Sequence, residues 1–298
     1  MIDRLKPPSH FTDQVIDKFY PTGELSGYPI GWDSMGIRIL PAELSIWAGI
    51  NGHGKSQFLG QVILNAAKSG EKVAIASFEM RGEKLISRMA RQALCTYKPN
   101  RDELVECIEW LDEHVLIYDY VGRGLVDDML KNFTVALEAE GCTTFVIDSL
   151  MKCGLAEDDY SGQKFLVEDF HNFAMTKNVH VHLVAHARKQ SDENDRPGKM
   201  SIAGSAGISN IADNIYMVWR NKGKESAFWE SKKNKTPLKA NFFQQPDAVV
   251  ECVKSRDLGS DVERQYWFWF DNLSLQYRDN IDAPLKRYFG GSYGTSPF

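Results

Sequence analysis

Eight consecutive residues, Gly49-Ile-Asn-Gly-His-Gly-Lys55-Ser56, have the types and spacing that hold a chain of phosphates. They meet the pattern G-x-x-x-x-G-K-[ST] at every fixed position. Glycines let successive backbone N–H groups curl round an anion, and a helix starting at the motif adds the positive end of its dipole. Lys55 would reach the β- and γ-phosphates, and the Ser56 hydroxyl would take one place on Mg²⁺. Gly49, Asn51, Gly52, His53, Gly54, Lys55, Ser56 and the next residue, Gln57, are the expected nucleotide-binding set. The cofactors they call for are ATP, or another nucleoside triphosphate, and Mg²⁺.

Five more residues could complete a reaction. Asp148 closes the apolar run Phe145-Val-Ile. A carboxylate at the end of a buried strand is costly without work or a partner. As the second acidic element of a P-loop enzyme it would hold Mg²⁺ through water; the plainer alternative is a helix N-cap. Glu79 follows Ala74-Ile-Ala-Ser-Phe and could position or deprotonate an attacking water, or merely favour a helix dipole from its first turn. His186 ends Leu183-Val-Ala, where a polar side chain can touch a γ-phosphate and report its loss. His180 and His182, upstream on the same run, read as structural. Lys254 and Arg256 end a late apolar run, either as a solvated strand end or as an arginine finger, in cis or to the next subunit.

The elements that must position these residues follow from periodicity. Buried strands are expected at 43–48, 72–78, 115–118, 143–148 and 179–185, separated by stretches of helical spacing. Strands alternating with helices indicate an α/β doubly wound, mostly parallel sheet, with ligand residues gathered at the strands' C-terminal ends. After residue 212 the rhythm changes to strands at Asn214–Arg220, Ala248–Lys254 and Tyr266–Phe270, an expected antiparallel extension without helices. Between the first two lies a Lys-rich stretch, Lys222 to Lys239, carrying Phe228 and Trp229; a solvated loop is expected there. Ahead of the core, Phe11, Val15, Ile16 and Phe19 share one helical face, closed by Pro21. The expected divisions are 1–40, an N-terminal segment with a helix at about 11–20; 41–280, the ATPase domain; and 281–298, a flexible tail.

Bulk properties narrow the classes. Of 298 residues, 43% are hydrophobic and 25% charged, ordinary for a soluble domain with a sizeable core. A net charge of −5 excludes a globally basic nucleic-acid binder, so any such contact is local. The five cysteines are odd in number and lack any C-x-x-C pair, which argues against a disulfide framework or a zinc site. With no signal-peptide run and no membrane span, a soluble cytoplasmic chain is expected, in a host cytoplasm if it is phage-encoded.

With these residues in line, the chain resembles the helicase domain of the DnaB-like superfamily, and within it the Twinkle and bacteriophage ring helicases. The resemblance runs from about Gly27 to Phe270. It rests on Ser77-Phe-Glu79, Val146-Ile-Asp148, Leu183-Val-Ala-His-Ala-Arg-Lys189, Ser201-Ile-Ala-Gly-Ser-Ala206, Ala212-Asp-Asn-Ile215, and Lys254-Ser-Arg256 with Gly259. It implies a RecA-like core assembling as a homo-oligomeric ring, usually a hexamer, with ATP between subunits. By that match Glu79 is similar to the catalytic base and His186 to the γ-phosphate sensor. Lys254 and Arg256 match the pair reaching in from the adjacent subunit, Phe270 would stack on the adenine, and the helix near Phe11–Phe19 resembles a linker that docks on a neighbour. Single-stranded DNA would be gripped by channel loops near Lys152 to Gly162 and from Lys189 to Gly207. Lys152, Lys189, Arg196, Lys199, Gly204 and Ser205 are the implied contacts, although Ala203 stands where several relatives carry a basic or bulky residue. Priming, loading or polymerase partners would act in trans, and no membrane is involved. The function implied is an ATP-dependent replicative helicase. A recombination ATPase that forms filaments on DNA without unwinding it, or a regulatory P-loop ATPase with no DNA role, are the alternatives.

Overall fold

The computed structural model describes residues 5–20, 26–120, 126–156, 159–187, 206–256 and 264–290. In chain order, helix α1 (Thr12–Phe19) precedes a small hairpin of β1 (Tyr28–Pro29) and β2 (Arg38–Ile39). Strand β3 (Glu43–Gly49) then leads into α2 (Lys55–Lys68), and β4 (Val73–Ser77) into α3 (Gly82–Leu94) and α4 (Arg101–His114). Next come β5 (Val115–Ile117), α5 (Val126–Glu140), β6 (Thr144–Asp148), α6 (Tyr160–Lys177) and β7 (His180–His186). The chain continues through α7 (Ala206–Ile211), β8 (Asn214–Arg220), α8 (Lys222–Asn234), β9 (Ala248–Ser255), β10 (Arg264–Asp271) and β11 (Gln276–Arg278).

Among the described residues, nine strands form one sheet in the order β11-β10-β9-β8-β3-β7-β6-β4-β5. From β8 to β5 all neighbours are parallel, and from β8 outward to β11 they are antiparallel. The central strands are buried along nearly their whole length because helices cover both faces. One face packs Phe58, Leu59 and Val62 of α2 and Met89 of α3 against Tyr28, Trp32, Phe268 and Tyr277. The other packs Met129 and Phe133 of α5 and Leu166, Phe170 and Phe173 of α6 against Leu44, Ile46 and Phe145. Local chemistry sets the helix ends: Asn100, Asp159 and Asn221 each accept a backbone N–H in the first turn of α4, α6 and α8.

Four expectations change. Strand β8 is parallel to β3, so the antiparallel extension begins at β9, one strand later than its lack of a preceding long helix suggests. The Lys-rich stretch is helix α8 over Lys222–Asn234; lysine and glutamate are good helix formers, and the Asn221 cap fixes its start. The segment from 281 is packed over its first ten residues, where Leu285 and Tyr288 are buried and Gln276 holds the Lys286 backbone through both ends of its amide. The core also reaches back before residue 41, since Tyr28, Ile30, Trp32, Met35, Ile37 and Ile39 are all buried.

Candidate nucleotide site

The parallel register brings the chemistry together. Gly49 at the end of β3 pairs with His186 at the end of β7, and Ser77 at the end of β4 pairs with Asp148 at the end of β6. The P-loop, Glu79, Asp148 and His186 thus crown four adjacent strands, the place where open α/β sheets bind ligands.

Within the P-loop, Gly54 caps α2 with φ of 90°, and a Cβ there would run into the Tyr277 hydroxyl. Both the left-handed backbone and the close approach require glycine. Lys55 Nζ donates to the carbonyls of Gly49 (2.8 Å) and Ile50 (3.1 Å). Burial lowers its pKa, opposed by the charges of Asp148 and Glu79. His53 is buried and its Nδ1 accepts the Arg220 N–H at 3.2 Å, a bond that ties the loop to the end of β8. Gln57 donates to the Leu275 carbonyl at 2.6 Å, so it supports the loop from the β10–β11 turn.

Asp148 is 5% exposed. Burial raises its pKa, partly offset by a hydrogen bond from Ser56 and increased by the nearby Glu79 charge. Its Oδ1 has no hydrogen-bond partner among the described residues. A buried carboxylate oxygen left over beside a hydroxyl is a donor set suited to a hard divalent cation, so Ser56 and Asp148 fit Mg²⁺. Beside them lies a bonded triangle. Ser149 Oγ donates to Glu79 Oε1 at 2.6 Å, His186 Nε2 lies 3.1 Å from the same oxygen, and His186 Nε2 and Ser149 Oγ are 3.2 Å apart. The hydrogen bond to His186 is the main reason the Glu79 pKa falls from 4.5 to about 2; burial opposes it, and Ser149 adds to the lowering. His180 and His182 are buried within the sheet, as expected of structural residues. His180 bonds the Leu40 carbonyl (2.6 Å) and Ser45 Oγ (3.0 Å), and His182 lies 3.0 Å from the Tyr28 hydroxyl.

A cavity of about 650 Å³ opens from the P-loop. Besides Lys55, Ser56, Glu79 and Asp148 it is lined by Arg88, Asn272, Phe270 and Tyr277, and by an aromatic group from α8 and the turn after it. Phe270, the sequence candidate for base stacking, is therefore in the cavity. Sequence reasoning misses Ser149, Arg88, Tyr277 and the aromatic group as parts of this site. Ser149 adjoins Asp148, and its hydroxyl is the nearest available signal. Arg88 enters only because α3 places it one turn from Leu85, and Tyr277 and the aromatics arrive from distant segments.

Lys254 and Arg256 stand elsewhere. Strand β9 runs against β8, so it finishes at the N-terminal edge of the sheet. Lys254 Nζ donates to the carbonyls of Ser209, Asn210 and Ala212. Arg256 pairs with Asp213 at 2.8 Å, and the other Asp213 oxygen accepts the Leu44 N–H. Arg256 is therefore level with Leu44, five residues below Gly49 and roughly 17 Å down the strand. Lys152 is on a short 3₁₀ turn after β6. Lys189, Arg196, Lys199, Gly204 and Ser205 lie outside the described residues, as does most of the expected second channel loop.

Comparison with known proteins gives one family match and several relatives. The sequence model of the AAA_25 family, described as an AAA domain, matches residues 34–192. The Twinkle homolog of Arabidopsis thaliana, chloroplastic and mitochondrial, is 24% identical over 236 residues, covering 71% of this chain and 33% of that protein. The chain thus spans about a third of the length of that curated relative. Among solved structures, a separately determined ATPase domain superposes with a TM-score of 0.70 at 18% identity, covering 91% of this chain and 97% of that one. A DnaB-like replicative helicase, solved in a study of its interactions with primase, gives 0.68 at 16% identity, covering 93% and 67%. A KaiC-like protein of Pyrococcus horikoshii gives 0.58 at 18% identity, covering 87% and 99%. The fold is that of the RecA-like P-loop ATPases, and it is shared with a DnaB-like replicative helicase.

Proposed function

We propose that this chain, which belongs to the AAA_25 family of AAA domains, is the motor of an ATP-dependent ring helicase that translocates on single-stranded DNA and unwinds duplex. The observation that carries the reading is the separation of Lys254 and Arg256 from the P-loop. They sit at the opposite end of the sheet from Gly49–Ser56, too far to reach phosphates held by the same chain. Cations placed there serve the nucleotide of a neighbouring copy, and a ring gives every copy such a neighbour. The exposure of Phe11, just before α1, and of Val15, Ile16 and Phe19 along it supports docking of that helix on the next subunit.

In this mechanism the P-loop amides and Lys55 hold the phosphates, and Ser56 and Asp148 are the residues that would hold Mg²⁺. When bound, the cation neutralises charge developing on the phosphates. Glu79, kept ionised by His186 and Ser149, orients water for in-line attack, and His186 senses the γ-phosphate across the Glu79–Ser149 triangle. The segments that follow β6 and β7, two strands that end beside the P-loop and Glu79, would carry each change to DNA in the ring's channel.

Lys55→Ala is expected to abolish single-strand-stimulated ATPase and unwinding. Arg256→Ala should block hydrolysis while leaving nucleotide binding intact. Mixing the two variants should restore part of the activity, because one subunit then offers an intact P-loop and the next an intact finger. No recovery on mixing would overturn action in trans. Absence of any stimulation by single-stranded DNA would favour a regulatory ATPase, and open filaments by electron microscopy would favour a recombinase.

A further inference from the structure

The Lys-rich stretch is neither a loop nor remote from the chemistry. Arg220, the last residue of β8, donates its backbone N–H to His53 Nδ1 at 3.2 Å. Helix α8 starts two residues later, so its first turn is anchored against the P-loop. Glu225, Phe228, Trp229 and Lys232 fall at helical spacing along one face, and the first three line the cavity that opens from Lys55. Trp229 lies seven residues into the helix, roughly 10 Å along its axis.

The turn after α8 adds Phe242 and Phe243 to the same wall. Phe228 and Phe242 are stacked at 6.2 Å with an interplanar angle of 21°, while Phe242 and Phe243 meet edge to face at 5.2 Å. The wall is fastened to the opposite rim. Trp269 Nε1 donates to the Phe243 carbonyl at 3.2 Å, and the Phe270 N–H donates to Asp247 at 2.8 Å. Asp247 in turn pairs with Lys224 of α8 at 2.7 Å. Yet Trp229 is 65% exposed and Phe243 61% exposed, although both belong to a cavity whose other end holds the phosphate loop. Large rings kept at the mouth of a polar cleft are a stacking surface for a flat ligand.

We infer that Phe228, Trp229, Phe242 and Phe243 form the wall that receives the base of the bound nucleotide, with Phe270 as one contributor on the facing rim. The inference rests on the proposed triphosphate site and adds the part of the ligand that α8 recognises. Stacking of this kind takes the flat face common to all bases, so the wall distinguishes a nucleoside triphosphate from a bare polyphosphate more than one base from another.

The test is calorimetric titration of the full chain with ATP and with inorganic tripolyphosphate, each with Mg²⁺. Wild type is compared with Lys55→Ala and with the double variant Trp229→Ala/Phe243→Ala, whose side chains are exposed enough to leave folding intact. The double variant should lose roughly tenfold in ATP affinity and nothing for tripolyphosphate, and Trp229 should cease to contribute to quenching of fluorescence by ATP. Lys55→Ala should weaken both ligands. Equal losses for ATP and tripolyphosphate, or no loss for either, would overturn the assignment. So would a defect in particle assembly at unchanged ATP affinity, which would make the wall a contact between copies. If Lys55→Ala bound both ligands normally, the triphosphate site itself would fail, a result distinct from failure of the wall.

Discussion

Replacing His186 by alanine tests the Glu79–Ser149–His186 triangle directly. The hydrogen bond from His186 is the largest influence taking the Glu79 pKa from 4.5 to about 2, and the charge of His186 contributes further in the same direction. Burial opposes both, so without His186 only Ser149 and Lys55 hold the carboxyl down. In His186→Ala the Glu79 pKa should return most of the way from about 2 to 4.5. His186→Gln, which can still donate from a similar position but carries no charge, should stay closer to wild type, because the hydrogen bond outweighs the charge. Carboxyl carbon shifts of glutamate-labelled protein, with Glu79→Gln to assign the resonance, read both values. The sign of the linked stability is fixed: a depressed carboxylate stabilises the fold above 4.5, and that contribution is lost as pH falls toward about 2. His186→Ala narrows this window, and because Glu79 is partly open to solvent the change in stability is screened and small. An unchanged Glu79 titration would refute the triangle. It would also refute the reading that Glu79 orients water while His186 holds it, since a base near 2 is a poor proton acceptor until that contact loosens.

Asp148→Asn should separate stability from function. Burial raises the Asp148 pKa above 3.8, so its ionisation weakens the fold as pH rises through that value. The neutral variant should melt higher at about pH 7 in the absence of Mg²⁺ yet lose the Mg²⁺ dependence of nucleotide binding, read by thermal melting with and without the cation. His180 gives the opposite pH signature. Burial lowers its pKa from 6.5 to about 4, so the fold loses stability as pH falls through that interval, by about 3 kcal/mol in all. Denaturant unfolding of wild type and His180→Gln between about pH 7 and pH 4 should show a slope in the first and a flatter line in the second.

What was legible in the sequence was what depends on short-range order. The glycines and lysine of the P-loop specify their own backbone, and the buried runs ending in Ser77, Asp148 and His186 specify parallel strands whose ends must meet. Residues brought in from a distance carried no such mark. Tyr277 reaches Gly54 only because β11 folds back beside β10, and Ser149 gains a role only when β4 and β7 place Glu79 and His186 against it. The Lys-rich stretch misled for a related reason. Its charge pattern fits solvent on most sides, while the capping asparagine and the spacing of Phe228, Trp229 and Lys232 fit a helix with one working face. Composition registered the first and only three-dimensional proximity to the P-loop revealed the second.

The placement of Arg256 also constrains how subunits would have to meet. Its guanidinium is engaged by Asp213, and Asp213 by the backbone of Leu44, so the proposed finger is built onto the N-terminal edge of the strand that ends in the P-loop. Motion of β3 would therefore be felt at both ends: phosphate contacts at Gly49 in one site, and the cation offered to the next. Under the proposed ring, neighbouring sites are coupled through a single rigid strand of seven residues, without any flexible relay. Asp213→Asn, which keeps the shape and removes the charge that orients Arg256, should then lower turnover in mixtures only through the subunit presenting the finger. Lys55→Ala subunits that also carry Asp213→Asn would restore less activity to Arg256→Ala partners than Lys55→Ala subunits alone, and equal recovery would show that Arg256 needs no such anchor.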